Sequence, residues 1–134
     1  MPAEPPRPVR VLIVDDHAIF VEGLTAVLDR DERFDVVGTA GSGRDAVRLA
    51  AETGAEVVLM DMSMPVLDGV AATRRLLDAQ PDVRVIALSG HTDRLSRKAA
   101  LEAGAAEFVS KSENLELLAS TIMAVCGRRE PATG

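Results

Sequence analysis

A doubly wound α/β domain built on a five-stranded parallel sheet in the order 2-1-3-4-5 is the fold this sequence predicts. Three observations carry it. Five short runs of apolar, partly β-branched residues alternate with five segments of helical periodicity, joined by short turns. The runs are apolar nearly throughout, as in strands covered on both faces. Four of them stop abruptly at polar residues: Asp15-Asp16, Asp61, Ser89 and Lys111.

Residues 1–8 hold four prolines and are expected to form an extended tail outside the fold. Residues 9–14 form the first strand, followed by a helix from His17 to about residue 30 with Phe20, Leu24, Val27 and Leu28 on one face. The second strand covers residues 34–40. Ser42 then caps a helix over residues 44–53, with Ala46, Leu49 and Ala50 inward and Gly54 closing it. Residues 56–60 form the central strand, which ends at Asp61. Met62-Ser63-Met64-Pro65 cannot be helical before the proline, so Asp61 is expected on a loop. Asp68-Gly69 turns into a helix patterned on Val70, Ala71, Arg74 and Leu77. Pro81 breaks the chain before a fourth strand over residues 83–88. The helix over residues 92–103 has only Leu95, Ala99 and Leu101 as apolar anchors and is expected to be the most weakly packed. Residues 105–110 form the fifth strand, and residues 113–125 the last helix, with Leu115, Leu118, Ile122 and Val125 on one face and Gly127 beyond it. One domain over residues 9–127 follows, with a linker stub over residues 128–134.

At 134 residues, 47% hydrophobic, the chain is long enough for a real core. Its net charge of -6 argues against a basic nucleic-acid surface, so any DNA contact is expected to belong to another domain, absent here. The single cysteine, Cys126, falls in an apolar helical stripe and reads as a buried structural thiol. No signal peptide or long apolar span is evident, which makes a cytoplasmic protein without membrane contact the default expectation.

Where the polar residues fall points to function. In a 2-1-3-4-5 sheet the first and third strands are neighbours, which brings Asp15, Asp16 and Asp61 together at the carboxyl edge, where ligands bind in such folds. One like-charge pair at about 4 Å repels by roughly 4 kcal/mol, against a total stability on the order of 5 to 15 kcal/mol. A hard divalent cation such as Mg²⁺, typically shared with a phosphate, compensates that cost. His17 beside these acids reads as a helix-start residue and not a ligand. The glycines at 38, 41 and 43 are not in dinucleotide-binding order, and no P-loop lysine follows.

Taken in order, four motifs carry a resemblance: Val-Asp-Asp-His after the first strand, Met-Asp-Met-Ser-Met-Pro with Asp-Gly downstream, Leu-Ser-Gly after the fourth, and Ala-Gly-Ala-Ala-Glu-Phe-Val-Ser-Lys at the fifth. From Val9 to about Gly127 the chain resembles a bacterial response-regulator receiver domain, with a flavodoxin-like fold. Its opening segment resembles the subfamily with a C-terminal LuxR-type helix-turn-helix domain. The resemblance implies that Asp61 is phosphorylated by a partner sensor histidine kinase, with Mg²⁺ held by Asp16 and Asp61, by Asp15 mainly through water, and by the Ser63 carbonyl. Lys111 would pair with the phosphate and Ser89 would donate its hydroxyl to it. Ser89 and Phe108 would form the switch, Ser63 and His91 would border the path of the hydrolytic water, and phosphorylation would promote a homodimer.

Such a domain is not an enzyme in the ordinary sense, catalysing only its own phosphorylation and dephosphorylation. Two departures from the family pattern stand out. Ser112 replaces the proline that often follows the lysine, leaving the isomer of that peptide bond open. Gly90 replaces a common alanine and is expected to loosen its loop. Two rival readings exist: a Mg²⁺-dependent phosphohydrolase, which would usually carry an acid where Ser63 stands, and a phosphorylation-independent interaction module, which would not need the full set of site residues.

Overall fold

The computed structural model describes residues 7–63, 69–90 and 94–127. Five parallel strands, β1 (Val9–Val14), β2 (Phe34–Ala40), β3 (Val57–Asp61), β4 (Arg84–Ser89) and β5 (Glu107–Ser110), pair in the order β2-β1-β3-β4-β5. Helices α1 (Ala18–Asp29), α2 (Gly43–Thr53), α3 (Gly69–Ala79), α4 (Arg94–Glu102) and α5 (Leu115–Val125) follow them in turn. The expected fold class and strand order are both present.

Alternation along the strands divides the core in two. Val9, Val11 and Ile13, with Val57, Leu59, Ile86 and Leu88, face α1 and α5 through Leu24, Leu28, Leu118 and Ile122. Leu12, Val14, Val58, Met60, Val85 and Ala87 face the other helices through Ala46, Ala50, Ala72, Leu76 and Ala100. Both faces of β1 and β3 are therefore covered, which is why these strands read as unbroken apolar runs. The edge strand β2 carries a register shift opposite Val11/Leu12.

Helix ends follow local chemistry. Ser42 Oγ accepts from the Asp45 N–H at 3.3 Å to cap α2, and Gly54 ends that helix at φ 67°, a left-handed conformation that costs glycine little. At α5 the Asn114 side chain accepts from the Glu116 N–H at 2.8 Å, which starts the helix at Leu115 and not at residue 113.

Two helices present faces other than those the sequence suggests. α3 buries Gly69, Ala72, Thr73 and Leu76, while Arg74 is exposed and Val70, Ala71 and Leu77 are half-buried. Small residues lie inward because the helix start passes very close to the end of β3. A Cβ on Gly69 would stand 2.2 Å from the Asp61 carbonyl oxygen. The Thr73 hydroxyl, buried with this face, donates to the Gly69 carbonyl at 2.6 Å. In α4 the buried residue is Ala100, whereas Leu95 is 79% exposed and Leu101 39%. The one residue this helix buries offers only a methyl group, so α4 buries little apolar surface, as expected.

Cys126 is half-buried and packs at the margin of the α1/α5 core, less enclosed than its apolar stripe suggests. All peptide bonds among the described residues are trans, the Lys111–Ser112 bond included. A serine after the lysine also keeps its N–H, which donates to Ser110 Oγ at 3.2 Å.

Candidate functional site

The expected acids meet at the carboxyl edge of the sheet. β1 and β3 are adjacent and in register through Val14 and Met60, so Asp15 and Asp61 follow on neighbouring strands. Asp61 is the last residue of β3 and fully buried, not exposed on a loop as its neighbouring proline suggested. The β3 ladder continues past it, because the Met62 N–H donates to the Leu88 carbonyl at 2.9 Å and holds the backbone in line. Asp15 is buried and Asp16 exposed. The first carboxylate faces the core side of the site and the second its mouth.

Two carboxylates inside the domain are tied down unequally. Asp61 Oδ1 accepts from the Ser63 N–H at 3.1 Å, while the buried Asp61 Oδ2 has no hydrogen-bond partner among the described residues. Asp15 Oδ1 accepts from the His17 N–H at 2.8 Å. Lys111 Nζ lies 2.6 Å from Asp15 Oδ2 and 3.4 Å from Asp61 Oδ2, near enough to balance charge though outside good hydrogen-bond geometry at Asp15. Burial pushes the Asp61 carboxyl above the ordinary carboxylate value, and the Asp15 charge adds to this. The Ser63 N–H and the Lys111 ammonium pull the other way.

Lys111 is placed by β5, whose register puts Ser110 opposite Ser89, and by its own N–H, which donates to the Ser89 carbonyl at 2.8 Å. Its ammonium also stands 5.0 Å from the centre of the Phe20 ring, which steers the stem toward the acids. Ser89 ends β4 one residue beyond the Leu88–Asp61 pair and is buried at the same edge. Ser63 is exposed at the mouth of the cleft that Asp61, Lys111, His17 and Gly90 line. Phe108 is 8% exposed and belongs to the core on the α4 side of the sheet. His91 lies outside the described residues, as do Met64, Pro65, Asp68 and Thr92.

His17 differs most from its sequence reading. It precedes α1, as a helix-start residue should, but its side chain makes no cap. The ring instead turns over the acids, with Nδ1 2.9 Å from Asp15 Oδ1, 3.4 Å from Asp16 Oδ1 and 3.7 Å from Asp61 Oδ2. One ligand atom from each of Asp15, Asp16, His17 and Asp61 lies within 4.8 Å of the others. Its place directly after two acids at a strand end was the only signal in the sequence.

Three acids, a hydroxyl and a lysine meet on the carboxyl edge of this doubly wound sheet, the edge at which domains of this class bind their ligands. Residues 11–123 match the response regulator receiver domain, and the chain belongs to that family, as the receiver domain of a two-component response regulator. It is similar to the response regulator GacA of Pseudomonas aeruginosa, 38% identical over 87% of this chain and 55% of that one. The chain thus spans about half the length of the curated relatives it matches. Among solved structures it resembles a LuxR-family response regulator from Aurantimonas sp. SI85-9A1, with a TM-score of 0.85 at 32% identity, covering 94% of this chain and 91% of that one. It also resembles a response regulator from Burkholderia pseudomallei described with a phosphorylated aspartic acid and a calcium ion, with a TM-score of 0.74 at 28% identity, covering 87% of this chain and 65% of the other. No helix among the described residues is long and apolar enough to cross a membrane.

Proposed function

We propose that Asp61 is the phosphoacceptor of this receiver domain and takes its phosphoryl group from a phosphohistidine of a partner sensor kinase. The observation that carries this reading is the buried Asp61 Oδ2, which has no hydrogen-bond partner among the described residues yet lies 3.4 Å from the Lys111 ammonium. An unbonded carboxylate oxygen is the one available to attack phosphorus. As its bond to phosphorus forms, the P–N bond breaks and the electron pair passes to the departing imidazole, which takes a proton from solvent. Lys111 then pairs with the transferred phosphoryl oxygens, and the Ser89 hydroxyl donates to one of them.

Mg²⁺ fits the donor set: Asp16 and Asp61 would hold it directly, Asp15 mainly through water, and the main-chain carbonyl of Ser63 would add a further oxygen. When bound, it would neutralise the acids and the transferring oxygens. The phosphorylated aspartate and cation described for the Burkholderia pseudomallei relative support both parts of this reading.

Output follows from the same site. Drawing Ser89 toward a phosphate would leave room that Phe108 fills, and the change would reach the surface of α4, β5 and α5. Residues 9–127 form the receiver unit in this reading. Phosphorylation strengthens a homodimer, through that surface or the α1/α5 face, and any DNA contact belongs to a helix-turn-helix domain elsewhere in a longer protein. Apart from phosphorylating and dephosphorylating itself, the domain turns over no substrate.

The test is intact mass after incubation with a small acyl phosphate and Mg²⁺. The parent should gain one phosphoryl group that hydroxylamine removes, and Asp61→Asn should gain none. Equal labelling of both proteins would mean that another residue is the acceptor.

A further inference from the structure

Two ordinary uses of the His17 ring are closed. It caps nothing at the start of α1, and at 61% side-chain exposure it is not held by core packing. Its Nδ1 instead stands 2.9 Å from Asp15 Oδ1 on one side and 2.9 Å from Lys111 Nζ on the other. One ring nitrogen cannot serve both neighbours. Protonated, it donates to Asp15 and meets the Lys111 ammonium proton to proton. Unprotonated, it accepts from Lys111 and sets its lone pair against a carboxylate oxygen.

A divalent cation taking the place of the Lys111 ammonium at Nδ1 removes this conflict, because it accepts a nitrogen lone pair and carboxylate oxygens together and leaves the lysine to the phosphate. Asp16 Oδ1 and Asp61 Oδ2 lie 3.4 and 3.7 Å from Nδ1, and the fully buried Asp61 keeps Oδ2 without a hydrogen-bond partner among the described residues. Hard oxygen donors suit Mg²⁺, whereas an imidazole nitrogen suits borderline first-row ions. We propose that His17 is a nitrogen ligand of the cation site and sets its metal preference, favouring Mn²⁺, Co²⁺ or Ni²⁺ over Mg²⁺ more than the oxygens alone would. This inference rests on the acid cluster being the cation site of the proposed function.

Calorimetric titration of the full, untagged chain with Mg²⁺ and with Ni²⁺ tests it, alongside pulsed electron paramagnetic resonance of the Mn²⁺-loaded protein. The variants are His17→Ala and His17→Asn, the second keeping a residue favoured before a helix. Ni²⁺ affinity should fall about tenfold or more in both, the scale on which even supporting residues alter metal sites. Mg²⁺ affinity should stay within about twofold, and ¹⁴N coupling seen in the parent should vanish. Equal losses for both ions, or no nitrogen coupling in the parent, would overturn the proposal. Asp16→Asn separates the two readings. If it abolishes binding of both ions while His17→Ala leaves their ratio unchanged, only the role of His17 is wrong. If it changes neither affinity, the acid cluster is not the cation site, and both readings fall.

Discussion

Lys111 Nζ stands 2.6 Å from Asp15 Oδ2, joining the end of the sheet's most distant strand to the end of its second. Asp15 is shielded from water and the lysine side chain is 14% exposed, so the pair carries more weight than a surface ion pair. Removing one partner of a buried pair costs roughly 3 to 5 kcal/mol, and the residual exposure of Lys111 reduces this to about 2 to 3 kcal/mol. Lys111→Met should therefore unfold at lower urea concentration by that amount, with millimolar Mg²⁺ restoring part of the loss. Destabilisation that Mg²⁺ leaves untouched would show that the lysine does not serve as the acids' counter-charge.

Gly69 is fixed by a neighbour that cannot move aside. The added Cβ in Gly69→Ala would meet the Asp61 carbonyl oxygen at 2.2 Å and Met62 Cα at 2.6 Å, both backbone atoms. A cost of at least about 2 kcal/mol in urea denaturation is expected, together with slower acyl-phosphate labelling as the end of β3 shifts. Gly90→Ala makes the contrast. Among the described residues no atom beyond its chain neighbours lies within 4 Å of its Cβ and its φ is not left-handed, so it should be neutral or gain about 0.5 kcal/mol.

Ser63 lies exposed at the mouth of the site, two residues beyond Asp61, and offers no acid or amide to hold an attacking water. The aspartyl phosphate should hydrolyse slowly. An amide in Ser63→Asn adds one hydrogen bond to that water, worth about 1 kcal/mol, which corresponds to about fivefold faster release. His91 would border the same path and partly block it. Identical phosphate-release rates in the parent, Ser63→Asn and His91→Glu would refute the assignment of both residues.

Phe108 is 8% exposed in the unphosphorylated chain and packs on the α4 side of the sheet, opposite Ala87 in the β4–β5 register. Lacking a tyrosine's hydroxyl, it has nothing to hold it in water, and its inward state is expected to be well populated before phosphorylation. A phosphate mimic should strengthen self-association of the parent by about tenfold, a coupling near 1.4 kcal/mol, and by less in Ser89→Ala and Phe108→Leu. Sedimentation equilibrium measures this. Equal strengthening in all three proteins would separate dimerisation from the Ser89–Phe108 pair.

Far from the site, Asp31 carries the most clearly depressed carboxyl of the described residues. The Arg33 guanidinium donates to both its oxygens, at 3.0 Å to Oδ1 and 2.7 Å to Oδ2, and holds the carboxyl below its ordinary value. Because the folded value is lowered, its stabilisation is complete above the unfolded value near 3.8 and is lost as pH falls through the folded one. Both side chains are about a quarter exposed, which limits the effect to about 0.5 to 1 kcal/mol. Asp31→Asn should be less stable than the parent by that amount at pH 7, with the gap closing below pH 3.8. A gap unchanged down to pH 2 would mean that the pair's charge contributes nothing.

Strands buried on both faces must be apolar nearly throughout, which made β1, β3 and β4 legible to within a residue or two; the partly exposed edge strands β2 and β5 kept enough apolar residues to be found to the same margin, and with the strand ends came the places of Asp15, Asp61, Ser89 and Lys111. Alternation of strands and helices determined a parallel sheet, because parallel neighbours need a crossover. Tertiary structure alone decided how α3 and α4 turn against the sheet. α3 lies on Gly69, Ala72 and Thr73 because only small residues fit beside the end of β3, and a periodicity of larger apolar residues cannot register that closeness. It also decided where His17 points. A residue just before a helix has a backbone direction set by the loop and the strand end packed around it, and that direction brings its ring to Asp16, Asp61 and Lys111.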